Sequence, residues 1–299
     1  MKIADSIVLF LDYIENERRL SPLTVRTYGE VLHVFEKYLE CLGINDLNDL
    51  NAREIRSWQA SLMENGDTAR TVMKKMSSLR SWHRYLRKHE LVKGDPFAKA
   101  ATLKIEKKLP VFYKEKEVER IYDAEIFSDD FDGHRDRLIL RMLYETGMRC
   151  SELVGLKEGS VDSSAQMIKV LGKRNKQRLI PIENELLQNI QRYLALKKEI
   201  GTESESLFVT SKGKSITSGH VYRIVKKYMS VLSNADRISP HVFRHTFATS
   251  MLNEGANIDA VKELLGHSSL ASTEIYTHVT REHLKENYKH AHPRAKKHL

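Results

Sequence analysis

The chain has 299 residues, 41% of them apolar and 30% charged, with a formal net charge of +9, the balance of a soluble globular protein long enough for two domains of ordinary size. No apolar run reaches the roughly 20 residues that span a bilayer, and the opening MKIADSIVLFLDYIENE carries acids on both sides of a short apolar core, unlike a secretory signal; a cytoplasmic location is expected. The only cysteines, Cys41 and Cys150, lie in separate halves of the chain, which argues against a disulfide framework or a cysteine zinc site and fits a reducing compartment.

The positive excess points to an acidic partner, nucleic acid ahead of an anionic membrane. Its distribution is uneven: residues 1–50 hold 5 Lys and Arg against 9 Asp and Glu, while residues 51–110 hold 14 against 6.

In chain order, the opening third reads as all helical. Ile3, Ile7, Phe10, Leu11 and Ile14 keep helical spacing, and Ser21 followed by Pro22 is a cap-plus-proline start for a second helix carrying Val25, Tyr28, Leu32, Phe35 and Leu39, closed near Gly43. A third begins at Asn51, with Glu54 as its capping-box partner, and runs through Ile55, Trp58 and Leu62 to Gly66. The fourth spans 68–89. At 100° per residue Arg70, Lys74, Ser77, Ser81, Arg84 and Lys88 fall on one strip opposite Val72, Met76, Leu79 and Leu86. A solvated face usually mixes charge signs, and this strip has no acid, so a DNA-facing helix is expected. Residues 97–110, FAKAATLKIEKKLP, form a lysine-rich connection that serves equally as a basic strap or an ordinary solvated linker. The expected division is a helical domain over 1–100, a linker over 101–110 and a second domain over 111–299.

Beyond the linker, 114–123 and 135–145 read as helices, and the acidic stretch 127–132 reads as a surface insertion. Gly147 breaks the helical pattern, so that Arg149 starts the next element. The apolar runs 167–171 and 178–182, joined through 172–177, predict a hairpin with Lys173 near its turn; alone, Lys173 is as well explained as a solvated tip. Helices follow over 183–197 and 218–232, the latter offering Arg223, Lys226 and Lys227 as a second DNA-contacting face. Ser239 and Pro240 start another helix, whose amide donors and positive dipole end make a natural phosphate seat. On it His241, Arg244 and His245 share one face, with Phe243 and Phe247 on a core-facing side. Asn257 caps a further helix ending at Gly266, which leaves His267 just past a helix end and Tyr276 in the segment after it.

Taken singly, each of these residues is more often structural or solvated than functional; the constellation carries the signal. HxxRH at 241–245, LGHSS at 265–269, a tyrosine nine residues past His267, ETGMRCSEL at 145–153 and a hairpin lysine in MIKVLGKRNKQRLIPI together resemble the tyrosine recombinase (phage integrase) family. The resemblance covers nearly the whole chain. It implies a mainly α fold with a small β-sheet: an N-terminal four-helix core-binding (SAM-like) domain and a C-terminal mixed α/β catalytic domain. It also implies a catalytic set of Arg149, Lys173, His241, Arg244, His267 and Tyr276.

The chemistry suits these residue types. An in-line attack on a phosphodiester builds negative charge on the non-bridging oxygens, where Arg149 and Arg244 can hold bidentate, permanently charged contacts. His241 and His267 add donors, and Glu152 orients the basic groups from behind. His245 is not required and is expected to be structural. The resemblance implies that Tyr276 is the nucleophile, forming a 3′-phosphotyrosyl intermediate, and Lys173 is then expected to be the acid for the 5′-oxygen leaving group. The ester keeps the bond energy, so no nucleotide cofactor is expected, and no acid cluster suggests a metal. Arg70, Lys74, Arg84, Lys88, Arg223 and Lys226 are the expected DNA contacts.

The partners so implied are double-stranded DNA with a specific core site and a homo- or hetero-tetramer of related recombinases, working through a Holliday junction, with an accessory activating protein left open. The first helix starts almost at Met1, which favours the simple two-domain type, and HPRA at 292–295 is similar to the close of bacterial Xer recombinases, in which the last helix docks on a neighbouring protomer. That tilts the expectation toward Xer-like dimer resolution in the nucleoid. A mobile-element integrase, an inversion enzyme, a type IB topoisomerase and a non-catalytic DNA-binding regulator remain alternatives.

Overall fold

The structure is a computed structural model that describes residues 1–97, 103–104, 111–172 and 177–266. The chain divides into two compact units, Met1–Lys108 and Leu109–Leu299. As expected, it is mainly helical, with one small sheet among the described residues.

In the first unit α1 (Ile3–Asp12) runs into a π-helical turn, Tyr13–Glu17, and is followed by α2 (Pro22–Cys41), α3 (Ala52–Glu64) and α4 (Ala69–Lys88). The starts are set by local chemistry. Ser21 Oγ accepts from the Thr24 amide at 3.3 Å, and Asn51 and Glu54 close a capping box. The apolar stripes meet around Phe35, whose ring lies 4.9 Å from Trp58 and 6.3 Å from Trp82 in edge-on arrangements. Val72, Met76, Leu79 and Leu86 face this core fully buried, and Arg70, Lys74, Ser77, Arg84 and Lys88 of the opposite strip are exposed. Phe97, read from sequence as part of the connection, is instead only 5% exposed in this core, its ring 5.2 Å from that of His83. A phenyl group that can be buried against α4 gains more there than in a solvated linker.

The second unit is built around α6 (Phe131–Thr146). Leu138, Ile139, Leu140, Met142, Leu143 and Tyr144 are all buried, as are the charged Arg135, Asp136, Arg141 and Glu145, so this helix is enclosed by its neighbours nearly all round. Around it lie α5 (Glu115–Glu119), α7 (Cys150–Val154), α8 (Asn184–Glu199), α9 (Ser218–Leu232), α10 (Pro240–Asn253) and α11 (Ile258–Leu265). The sheet is antiparallel in the order β1 (Val161–Asp162), β2 (Met167–Leu171), β3 (Gln177–Pro181), with Val170 opposite Arg178. The two-residue β1 is too short to give a period in the sequence.

The acidic stretch 127–132 is not a surface insertion. Phe127 is 8% exposed in the core, the Phe131 ring lies 5.4 Å from Tyr193, and Asp130 accepts from the Gly133 amide at 2.7 Å as the N-cap of α6. Acids gather here because a helix start favours negative charge, and α6 therefore begins four residues before the expected 135.

Candidate functional site

The turn from α6 into α7 carries the first arginine. Gly147 ends α6 in the left-handed region, with φ 58°, and a Cβ there would stand 2.5 Å from Phe247 Cδ1 on α10, so glycine alone lets the chain turn this close to that helix. Two residues on, Arg149 is the N-cap of α7. Its amide donates to Glu152 Oε2 at 2.8 Å, and its Nη1 donates to Oε1 at 2.8 Å. The Glu152 side chain is 2% exposed and that of Arg149 37%, which leaves the arginine accessible while its partner is closed off.

Helix α10 brings the second arginine to the same turn. Arg244 is buried; its Nη1 donates to the Gly147 carbonyl at 2.8 Å and its Nη2 to the Leu265 carbonyl at 2.6 Å. Tyr113 fixes the root of α10: its hydroxyl accepts from the Ser239 amide at 3.3 Å, its own amide donates to Thr246 Oγ1 at 2.9 Å, and its ring packs edge-on against Phe243. One turn ahead of Arg244, the His241 ring sits 4.5 Å from that of His245. Partial burial, then the neighbouring His245, Arg244, Arg237 and Arg149, lower the His241 pKa, which favours the neutral imidazole, a form that can accept a proton or donate its N–H.

A third guanidinium, which the sequence reading did not single out, completes the arrangement. Arg178 of β3 donates to both Glu152 oxygens, at 2.8 and 2.9 Å, and through Nε to the Leu264 carbonyl at 2.8 Å. The signal in the sequence was slight: one cation at the head of an apolar strand, with no acid across the hairpin to pair with it.

The charges do not balance. Among the described residues, Glu152 is bonded by the guanidinium groups of Arg149 and Arg178 and feels the charge of a third, that of Arg244. Burial works against ionisation of Glu152, yet the hydrogen bonds and charge of Arg178, followed by those of Arg149, bring its pKa down to about 2. Burial, then the charges of Arg149 and Arg178, push Arg244 down to about 10, against the pull of Glu152; it remains cationic at neutral pH. A half-buried cluster with surplus positive charge and planar donors is built to take an anion with paired oxygens, such as a phosphate.

Of the expected catalytic residues, the structure brings Arg149, His241 and Arg244 together, with Glu152 behind them. Lys173 lies between β2 and β3 in the sequence, and His267 and Tyr276 follow Gly266; all three lie outside the described residues, as does the 292–295 ending. Arg70, Lys74, Arg84 and Lys88 are exposed along α4 of the first unit, and Arg223 and Lys226 are exposed on α9 of the second. His245 is half-buried beside His241.

Residues 112–283 match the family model described as "Phage integrase family", and residues 7–90 match that of "Phage integrase, N-terminal SAM-like domain". This chain belongs to the phage integrase family, the tyrosine-type site-specific recombinases. It is 37% identical to the tyrosine recombinase XerC of Bacillus licheniformis, over 99% of this chain and 98% of that one, and 35% identical to XerC of Bacillus subtilis, over 98% of each. Among solved structures, a Tn1549 transposon integrase in complex with transposon right end DNA superposes with a TM-score of 0.75 at 20% identity, covering 99% of this chain and 98% of that one. The XerH recombinase in a post-cleavage complex with a palindromic difH substrate gives 0.70 at 23% identity, covering 90% and 80%. These two likenesses concern the fold.

Proposed function

We propose that this chain is an Xer-like site-specific recombinase that breaks and rejoins double-stranded DNA with Tyr276 as nucleophile. The observation that carries the reading is the Arg244 Nη1 to Gly147 carbonyl bond of 2.8 Å, which joins two segments 97 residues apart and sets the second arginine beside the turn that bears the first. Arg149 and Arg244 hold the non-bridging oxygens of the scissile phosphate. The charge that grows there in the transition state meets cations already in place, and little reorganisation is required.

Tyr276 Oη attacks phosphorus in line with the 5′-oxygen. Its proton passes to a neutral histidine, for which His241 is suited; the bond from phosphorus to the 5′-oxygen breaks, and Lys173 protonates that oxygen. His267 donates to the same phosphate. The result is a 3′-phosphotyrosyl ester and a free 5′-hydroxyl. Attack by the 5′-hydroxyl of a partner strand reverses the step, restores the phenol and leaves no net change in bond energy, so neither a nucleotide nor a redox cofactor enters. Two such exchanges in sequence pass through a Holliday junction. The basic strip of α4 and the exposed cations of α9 supply DNA contacts.

Working on two duplexes calls for a tetramer, of this chain alone or with a related recombinase, on a specific core site, with an accessory protein as a further partner. The XerC relatives favour resolution of chromosome or plasmid dimers, linked to chromosome partition and the cell cycle, in the cytoplasm at the nucleoid.

The test is covalent trapping on a nicked duplex in the presence of EDTA. The wild type is expected to form a protein–DNA adduct that maps to Tyr276, and Tyr276→Phe to bind DNA normally and form none. Adduct retained by Tyr276→Phe, or strong inhibition by the chelator, overturns the mechanism. Relaxation of any supercoiled plasmid without a specific site would favour a topoisomerase instead.

A further inference from the structure

Arg178 lies where three segments meet. Its guanidinium forks onto both oxygens of Glu152, 26 residues away, and its Nε donates to the carbonyl of Leu264, 86 residues away, in the last turn of α11. The next carbonyl, that of Leu265, accepts from Arg244 at 2.6 Å. Two guanidinium groups from different elements thus hold the negative end of the α11 dipole. Gly266 is fitted to this: its φ is 65°, and a Cβ on it would come within 3.1 Å of Arg178 Cδ. With Nε, Nη1 and Nη2 all engaged inward, on the Leu264 carbonyl and both Glu152 oxygens, Arg178 presents fewer donors to DNA than Arg149 does.

We infer that Arg178 is a positioning residue for strand cleavage: it locks the β2–β3 hairpin and the end of α11 onto Glu152, and through Glu152 it fixes the Arg149 guanidinium on the scissile phosphate. The inference rests on Arg149 being a phosphate ligand, as proposed above. The physical reason is entropy and aim. An arginine 37% exposed has many rotamers, and the bond from its Nη1 to Glu152 Oε1, a carboxylate that Arg178 holds by both oxygens, restricts them before substrate arrives. The same clamp holds β3 and the end of α11, the elements that Lys173 precedes and His267 follows in the sequence. A lysine in its place would keep the charge but could not fork, which separates geometry from electrostatics. The charged groups facing Glu152 among the described residues are Arg149 on its own turn, Arg178 on β3 and Arg244 on α10.

The experiment is single-turnover adduct formation by the full-length chain on a nicked duplex made from the site that the wild type cuts, alongside DNA affinity and thermal melting. Arg178→Lys is expected to bind DNA within about threefold of wild type and to cleave on the order of 10- to 100-fold more slowly, the cost of a misplaced catalytic group. Glu152→Gln is expected to slow cleavage by a similar factor. The double variant should fall no more than about twofold below Glu152→Gln, because residues acting as one unit are not additive. Wild-type cleavage by Arg178→Lys, or losses that multiply in the double variant, overturns the inference. Should Arg178→Lys not fold, Arg178→Gln with Glu152→Gln removes both charges of the pair: equality with Glu152→Gln alone supports the clamp, and a further tenfold loss contradicts it. If the wild type forms no adduct dependent on Tyr276, the reading of the function has failed; if that adduct forms and Arg178 proves indifferent, only the clamp has.

Discussion

Two kinds of arginine cluster occur in the second unit, and they differ in their ratio of charge. Arg135 is paired with Asp132 at 2.6 Å and Asp136 at 2.7 Å, and Arg141 with Glu145 and Glu185, both at 2.8 Å, so each of these cations faces two carboxylates. Around Glu152 the ratio is inverted, with Arg149, Arg178 and Arg244 gathered on one acid. The first kind is closed. Its members satisfy one another, the Arg141 guanidinium also stacks 4.6 Å from the Tyr122 ring, and the Tyr122 hydroxyl donates to Glu145 at 2.9 Å. Such a pair can be buried in α6 because it brings its counter-charges with it. Among the described residues the second kind carries more arginine than carboxylate, which suits it to an anion on the reading proposed above. Burial of an arginine does not by itself mark such a site; the ratio of charge is the better guide.

Substitutions in the two clusters sharpen that contrast. Arg244→Ala is expected to cut adduct formation by about 100-fold or more, as for other lost transition-state donors, with DNA affinity changed far less; a near-normal rate would place the phosphate elsewhere. Arg141→Ala should do the reverse. It removes the cation that buried Glu145 faces and costs about 3–5 kcal/mol of stability, while the adduct rate per folded molecule stays near that of wild type; loss of cleavage in a fully folded Arg141→Ala would erase the distinction between the clusters.

Glu152 gives the pH test. Its pKa is depressed to about 2 in the folded chain, below its value when unfolded. The stability it contributes is therefore fully present above about pH 4.5 and lost as pH falls through about 2, and a depression of that size corresponds to about 3 kcal/mol. The urea midpoints of wild type and Glu152→Gln should differ by a constant amount from pH 5 to 8 and converge below pH 4. A gap that closes on the alkaline side would contradict the sign. The smallest effects belong to the first unit. Each of Arg70, Lys74, Arg84 and Lys88 changed to alanine is expected to lower the slope of log affinity against log salt by about one unit where it meets a phosphate; an unchanged slope would remove α4 from the DNA interface.

Much of the fold could be read from the sequence because its signals are local. Ser21 with Pro22, Asn51 with Glu54, Ser239 with Pro240, and Asn257 with Gly266 each bracket a helix by chemistry within a few residues, and α9 keeps the predicted bounds. What escaped depends on distant contacts. Phe97 is a core residue only because α4 offers it His83, and the acids of 127–132 are a helix start only because Phe127 and Phe131 find the core. At the site, spacing put His241 and Arg244 on one helix face and the family resemblance marked Arg149, with Glu152 one turn from it, whereas Arg178 carried neither signal; its role exists only once β3, α7 and the end of α11 have come together.

The central claim is that Arg149 and Arg244 meet the negative charge of one scissile phosphate, and the direct measurement is to remove that charge from the substrate. A nicked duplex with a neutral methylphosphonate at the cleaved position should be attacked by Arg149→Ala and Arg244→Ala at rates much closer to wild type than on ordinary phosphate, since no non-bridging anion then needs a cation. If both variants remain as impaired on the neutral linkage as on the charged one, the arginines do not act on that phosphate and the account is wrong.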